Sequence, residues 1–305
     1  MRTITLGKSG LQVPAIAVGC FRIHELDQHG VERLLKTALD MGANFFDHAD
    51  IYGGGSCEEL FAGALDMNDD LREKLIIQSK CGIRQNLYDF SKKYILESTD
   101  GILKRLKTDY LDILLLHRPD ALVEPGEVAE AFDILQQSGK VRHFGVSNHN
   151  PMQIQLLQKH IKQPLVANQL QLSVTHSAMI TQGMYVNMEQ ENAVGRDGNV
   201  LDFCRLNDIT IQPWSPFQYG FFEGTFLGSP KYPELNAVID RLAEKYGVSN
   251  TTIALAWILR HPAKMHPITG TTRPERLAEC LKAAEITITR EEWYEMLLAS
   301  GHSLP

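Results

Sequence analysis

Leu111-Asp112-Ile113-Leu114-Leu115-Leu116-His117 is an apolar run closed by a histidine, and its reading together with the next thirty residues decides the fold. Val128, Ala131, Phe132 and Leu135 recur at helical spacing, and a second short apolar run, His143–Val146, comes next. Continuous apolar runs bounded by polar residues read as strands buried on both faces, the habit of parallel sheets. Strand, helix and strand make one βαβ unit. Upstream the rhythm continues with Ala15–Val18, Ala43–Phe46 and Leu75–Gln78; Val31, Leu34, Leu35, Ala38 and Leu39 share a helix face between the first two. Downstream come Leu165–Asn168, Ile209–Gln212 and Met265–Ile268, eight runs in all. That number predicts an α/β fold of the (β/α)8 TIM-barrel type, with a doubly wound open sheet as the alternative.

Thr3–Leu6 and Leu11–Val13, around Lys8-Ser9-Gly10, predict a short hairpin ahead of the barrel. No Pro/Gly/Ser-rich linker divides the chain, so one domain is expected over residues 1–305. Two segments break the rhythm: an insertion, Ser173–Asn199, and the Phe- and Gly-rich stretch Pro216–Pro233. Long loops in a compact domain are often lids or binding loops. Thr289-Arg290-Glu291-Glu292 is a capping-box pattern that starts a terminal helix carrying Trp293 and Leu297.

The 305 residues are 44% hydrophobic and 22% charged, with 30 Lys plus Arg against 37 Asp plus Glu. A formal charge of −7 offers no basic field for a polyanion, so a nucleic-acid partner is not expected. The five cysteines (Cys20, Cys57, Cys81, Cys204, Cys280) are scattered and read as reduced thiols without a metal site. With no signal peptide and no membrane-length apolar run, a cytoplasmic protein is expected; oligomeric state leaves no trace in the sequence.

Common catalytic signatures fail. Gly7-Lys8-Ser9 lacks the earlier glycine of a P-loop, Gly53-Gly54-Gly55 is not a dinucleotide fingerprint, and no His-Glu-x-x-His or Gly-x-Ser-x-Gly occurs. What remains is a set of polar residues at successive strand ends: Asp47 after the second run, Lys80 after the third, His117 after the fourth, and Tyr52 in the loop beyond Asp47. Singly, each has a bland reading as a cap, a solvated charge or a surface group. In a barrel the C-terminal strand ends meet at one mouth. There, a lysine beside a tyrosine would lower the phenol's pKa, an aspartate would hold the lysine charged, and a histidine would orient a carbonyl. Such a site supplies a proton, and a reduced cofactor must supply the hydride.

These residues lie in longer stretches: Gly42-Ala43-Asn44-Phe45-Phe46-Asp47-His48-Ala49-Asp50-Ile51-Tyr52-Gly53, Ser79-Lys80, Asp112–Asp120, Gly145-Val146-Ser147-Asn148, Asn168-Gln169, Trp214-Ser215-Pro216 and Gly270-Thr271-Thr272-Arg273-Pro274-Glu275-Arg276-Leu277. Together they resemble the aldo-keto reductases, eight-stranded barrels that reduce aldehydes and ketones with a nicotinamide cofactor. The resemblance implies Tyr52 as general acid, with Asp47, Lys80 and His117 as partners. It implies NADP(H) as cofactor. Ser147, Asn148 and Gln169 would hold the nicotinamide carboxamide, Trp214 would stack on its ring, and Ser215 and Phe217 would lie along the pyrophosphate. Thr271, Thr272, Arg273, Arg276 and Glu279 would take the adenosine end; Pro274 suits a first helical position, and Thr272 with Glu275 forms a second capping-box pattern. The chain departs from the family at His48, where threonine is usual and where local charge could change. It departs also at Gly270, where a cation is common, and at Cys280, where asparagine is. Phe21, Met184, Tyr185, Tyr219 and Phe221 are the expected substrate-side residues, with Met188 nearby in the insertion.

The reading is therefore an NADPH-dependent reductase of a small-molecule aldehyde or ketone, with no membrane partner. The alternative is a cofactor-binding regulatory subunit, since the chain also resembles proteins that accompany potassium channels. A barrel hydrolase would need paired carboxylates at the mouth, and Lys80 offers Asp47 a different partner.

Overall fold

A computed structural model describes residues 1–65, 67–186 and 199–302. An antiparallel hairpin, Thr3–Thr5 with Gln12–Pro14, comes first. Eight strands form the ring: β1 (Ala17–Gly19), β2 (Phe45–Asp47), β3 (Ile76–Cys81), β4 (Leu111–Leu116), β5 (Val141–Ser147), β6 (Leu165–Gln171), β7 (Thr210–Trp214) and β8 (Ile268–Thr269). All pairs are parallel, in the spatial order β7-β6-β5-β4-β3-β2-β1-β8. Between β7 and β8 the ring is drawn shut by the His266 N–H, which donates to Ile211 O at 3.0 Å. The last strand beside the first, and the rest in chain order, make a (β/α)8 barrel and exclude the open doubly wound sheet.

Most strands end later than the apolar runs do; β4 ends with its run at Leu116. β3 continues through Lys80 and Cys81, β5 through Ser147, β6 through Gln171 and β7 through Trp214. Hydrophobicity marks where a strand is packed, and at the mouth the ladder goes on while the side chains turn polar. The hairpin closes the other end. Gly7 donates its N–H to Thr210 Oγ1 at 2.8 Å with φ at 47°, and a Cβ there would strike the Val166 carbonyl.

Helices cover the ring with the faces their spacing predicts. Gln28–Asp40, capped by Asp27, buries Val31, Leu34, Leu35 and Ala38, while Pro125–Gln137 buries Val128, Ala131, Phe132 and Leu135. The terminal helix Arg290–Ala299 has the Thr289–Glu292 capping box. Its Trp293 stacks on Trp257 at 4.8 Å, and each indole N–H donates to the other's carbonyl at 3.0 Å. In the described part of the Ser173–Asn199 insertion, Ala178–Met184 forms a helix; Met188 lies outside the described residues. The Pro216–Pro233 stretch holds a small hairpin, Gln218–Tyr219 with Gly224–Thr225. The five cysteines are buried and free. Among the described residues no helix is long and apolar enough to cross a membrane.

Candidate active site

At the mouth, β2 and β3 bring a carboxylate and an ammonium together. Asp47 ends β2 and Lys80 lies on β3; both are buried, with Lys80 Nζ 2.8 Å from Asp47 Oδ2. The Lys80 ammonium also donates to His48 O at 2.7 Å and to the Tyr52 hydroxyl at 3.0 Å. Asp47 Oδ1 accepts from Gln78 Nε2 at 2.7 Å and Gln169 Nε2 at 3.1 Å. Tyr52 is held by a tight loop in which Gly53, Gly54 and Gly55 all have positive φ. A Cβ on Gly53 would run into Ser56 Oγ, so the triple glycine serves this turn. The His117 ring stands edge-on to Tyr52, with centroids 6.0 Å apart.

Burial sets the protonation states here. It pulls the His117 pKa well below its ordinary value, and the charges of Lys80 and Arg118 push the same way, so the imidazole is neutral. Burial also disfavours the Lys80 ammonium, but Asp47 and Tyr52 outweigh it and the pKa ends raised. For Tyr52 the expected lowering is reversed. Burial raises its pKa and Lys80 is the largest opposing influence, leaving the phenol protonated at neutral pH. His48 adds no charge: burial, then Lys80, drops its pKa to about 3, and its ring packs on Phe61 at 4.6 Å.

These groups face a cavity of about 930 Å³ lined by Asp47, Tyr52 and His117, though not by Lys80, which lies behind Tyr52. Ser147, Asn148, Gln169, Trp214, Ser215 and Phe217 line its middle, and Thr271, Thr272, Arg273 and Arg276 one flank. Asn148 and Ser215 have φ of 60° and 52°, left-handed conformations that non-glycine residues adopt at a cost of about 1–3 kcal/mol. The Trp214 indole N–H donates to Asn148 Oδ1 at 3.3 Å, and Asn148 Nδ2 donates to Ser147 Oγ at 2.8 Å.

The cavity lining differs from the expected set. Met184, Tyr185, Tyr219 and Glu279 are not among the cavity-lining residues, whereas Phe21 and Phe221 are. Tyr185 is buried, Met184 packs on the core, and Tyr219 sits against Tyr232 at 5.3 Å. Thr272 is no helix cap. Helix Pro274–Lys282 has Arg273 at its N-cap with no side-chain bond, because the proline fills the first helical position. That frame moves Arg276 into the first turn and leaves first-turn N–H groups free beside it.

The sequence reading also missed residues. Gln78 stands two before Lys80 on the same strand, hence on the same barrel face, a signal that alternation carries. Arg118 directly follows His117 and lines the cavity, as does Arg22. Arg22 Nη1 donates to Gly270 O at 3.2 Å and occupies the side where a side chain at 270 would point. Asn250 and Thr251 line the cavity too, from a helix start that no local pattern ties to the mouth.

A family model described as "Aldo/keto reductase family" matches residues 15–297. The chain belongs to that family. It is 35% identical to the Bacillus subtilis protein named uncharacterized oxidoreductase YcsN, over 100% of both chains. It is 33% identical to a 6-dehydroglucose reductase of Agrobacterium fabrum, over 94% of each. A thermostable aldo-keto reductase solved with the inhibitor epalrestat superposes with a TM-score of 0.79 at 29% identity, covering 98% of this chain and 100% of that one. This aldo/keto reductase is thus an oxidoreductase of small carbonyl compounds, in a family that works with a nicotinamide cofactor.

Proposed function

We propose that the protein reduces an aldehyde or ketone to an alcohol with NADPH, and that Tyr52 donates the proton. The observation carrying this reading is Lys80 Nζ, 3.0 Å from the Tyr52 hydroxyl and 2.8 Å from Asp47. The phenol is protonated at neutral pH and faces a cavity, so it can give its proton to a substrate oxygen. Lys80 steadies the phenolate left behind, and Asp47 keeps Lys80 charged in a site where burial alone would favour the neutral amine. His117, neutral, can donate a hydrogen bond to the same oxygen without competing for the proton.

The cleft fits a nicotinamide dinucleotide. Gln169 gives its N–H to Asp47 and keeps Oε1 for an amide donor, while Ser147 and Asn148 are amide-recognising groups beside it. Trp214 offers a ring face, and Ser215 and Phe217 line the way from it towards Thr271, Thr272, Arg273 and Arg276. Free N–H groups of the first turn and the Arg276 guanidinium suit the ribose phosphate that distinguishes NADPH from NADH. Arg22 supplies positive charge at the position where Gly270 has none. When bound, the cofactor supplies a hydride to the carbonyl carbon, and the protein supplies the proton.

The test is loss of NADPH absorbance with a panel of aldehydes and ketones, for wild type and Tyr52→Phe. A regulatory subunit would need the cofactor cleft but not the proton donor. Cofactor binding without turnover of any carbonyl would overturn the enzyme reading.

A further inference from the structure

The cavity is lined by four arginines, Arg22, Arg118, Arg273 and Arg276, and among the described residues by one carboxylate, Asp47, which Lys80 already pairs. Three of the arginines gather where β1 and β8 end. Arg22 reaches Gly270, and Arg273 and Arg276 stand at the start of helix Pro274–Lys282. Arg118 comes from β4, four places from β8 around the ring. Its charge is not held with the other three.

Among the described residues Arg118 has no hydrogen bond and no ion pair. Its guanidinium lies 5.8 Å from the Trp214 ring centroid and 5.7 Å from that of Phe221. Aromatic faces support a guanidinium while leaving its in-plane donors free for a bidentate acceptor. The neighbouring wall is apolar, with Phe21 and Ile51 partly exposed to the cavity. An unpaired fork of donors on an aromatic platform, next in sequence to His117, lacks only a planar anion.

We propose that the substrate is a carbonyl compound bearing a carboxylate, and that Arg118 is the specificity-determining residue that receives it. This rests on the carbonyl-reductase reading. The carboxylate takes two parallel N–H donors of Arg118, while the carbonyl oxygen lies between Tyr52 and His117. Adjacency of residues 117 and 118 keeps the two groups within one small molecule's reach. Reduction itself is unchanged: hydride to carbon, proton to oxygen, and the carboxylate stays ionised throughout.

The experiment compares 4-carboxybenzaldehyde with 4-methylbenzaldehyde, similar in shape and unlike in charge, for wild type, Arg118→Met and Arg118→Lys. A charge-assisted contact predicts a wild-type kcat/KM ratio favouring the carboxylate by at least about tenfold. In Arg118→Met the ratio should collapse by roughly tenfold to hundredfold, mainly through KM, and Arg118→Lys should restore part of it. A wild-type ratio near one, or a ratio unmoved by Arg118→Met, overturns the proposal. A second measurement is independent of turnover: benzoate titrated into the NADPH-loaded protein by calorimetry. Binding weakened about tenfold or more in Arg118→Met supports the anion site even if neither aldehyde reacts, in which case the reductase reading fails alone. Absence of benzoate binding to wild type, or equal binding by the variant, overturns the anion site.

Discussion

Two buried carboxylate–cation pairs lie at opposite ends of the barrel, Asp47 on β2 and Asp112 on β4, and they differ in where the cation's donors finish. At the N-terminal end of β4, Asp112 meets Arg72 at 2.9 Å, accepts the Ile77 N–H at 2.9 Å, and takes Arg142 at 3.1 Å. Arg72 also donates to Thr108 Oγ1, Leu75 O and Tyr110 O, and Tyr110 lies between the two guanidinium groups, 3.7 Å and 3.8 Å from its ring. Every arm ends on the fold. At the mouth, Lys80 is equally buried and its ammonium is as fully partnered, but one partner is the Tyr52 hydroxyl. The same interaction closes a structure when it ends on backbone carbonyls, and can do chemistry when one arm ends on a group that can lose a proton into a cavity.

The largest break in that comparison is Tyr52→Phe. It removes the one exchangeable proton and keeps the ring, so carbonyl reduction should fall by roughly two to four orders of magnitude while NADPH binding survives. Single-turnover kinetics and a cofactor titration check both halves. More than about a tenth of wild-type turnover in a chemistry-limited assay would remove Tyr52 from the role.

Next come the two cations. Lys80→Met strands the buried Asp47 carboxylate and should cost on the order of 3–5 kcal/mol in denaturant unfolding, whereas Arg72→Met leaves Asp112 with Arg142 and should cost less. Only Lys80→Met should change the chemistry of the molecules that remain folded. In wild type, neutral His117 and protonated Tyr52 do not titrate near neutrality, so reduction should be flat from about pH 6 to 8 and fall at alkaline pH as the phenol ionises. Without Lys80, the influence opposing burial is gone. The phenol pKa rises further, the alkaline limb moves up, and the plateau drops by about a hundredfold or more. A normal plateau and limb in Lys80→Met would return Lys80 to the same purely structural class as Arg72.

The fold was legible because its signal is repeated: each strand is an apolar run, and each helix face recurs with its period. Asp47, Lys80, His117 and Tyr52 were legible because strand ends converge by geometry, whatever the loops do. What was not legible depends on loop paths and balances of energy. Tyr185, Met184 and Tyr219 lie on segments whose sequence says aromatic or apolar without saying which way they pack, and none of them lines the cavity. The direction of the Tyr52 shift turns on burial against the Lys80 charge, and a linear sequence weighs neither. Thr272 looked like a cap because the pattern Thr-x-x-Glu fits, but the other expectation from the same stretch, Pro274 at a first helical position, is the one that holds and places the cap at Arg273.

That corrected frame sharpens the third prediction. With Arg276 in the first turn, wild type should prefer NADPH to NADH by at least about tenfold in dissociation constant, the lower end of a charge-assisted contact. Arg276→Ala should erase most of the difference, and Arg273→Ala a smaller part, since Arg273 stands at the N-cap, outside the first turn that carries Arg276. Fluorescence titration of both cofactors against the three proteins decides it, and equal wild-type affinities would sink the assignment.

The smallest effect probes how far inward the mouth's arrangement reaches. Gln78 Nε2 lies 2.7 Å from Asp47 Oδ1 and 3.0 Å from Gln212 Oε1, and Gln212 Nε2 is 3.2 Å from His266 Nδ1. A polar thread thus runs from the mouth into a barrel interior that is otherwise apolar, and all three residues are buried. Gln78 Oε1 has no hydrogen-bond partner among the described residues, so the side chain is held there at a cost. Its one contact with the site is the Asp47 carboxylate, which also has Gln169 and Lys80. Gln78→Met keeps the volume and removes that one donor. We expect kcat to fall about threefold to tenfold, the scale of one hydrogen bond of roughly 1 kcal/mol, with KM and NADPH affinity unchanged. Gln212→Met, one step further from Asp47, should move kcat less, and the double variant should resemble Gln78→Met because the thread reaches Asp47 only through Gln78. If Gln212→Met instead lowered kcat as much as Gln78→Met, the two would be acting on the packing of the barrel rather than on the carboxylate. Thermal unfolding of the same variants separates the cases. A packing role would lower the melting temperature further in the double variant, in step with kcat, whereas a role in holding Asp47 lets the double variant, in which both partners of the Gln78–Gln212 bond are gone, recover stability while kcat stays low.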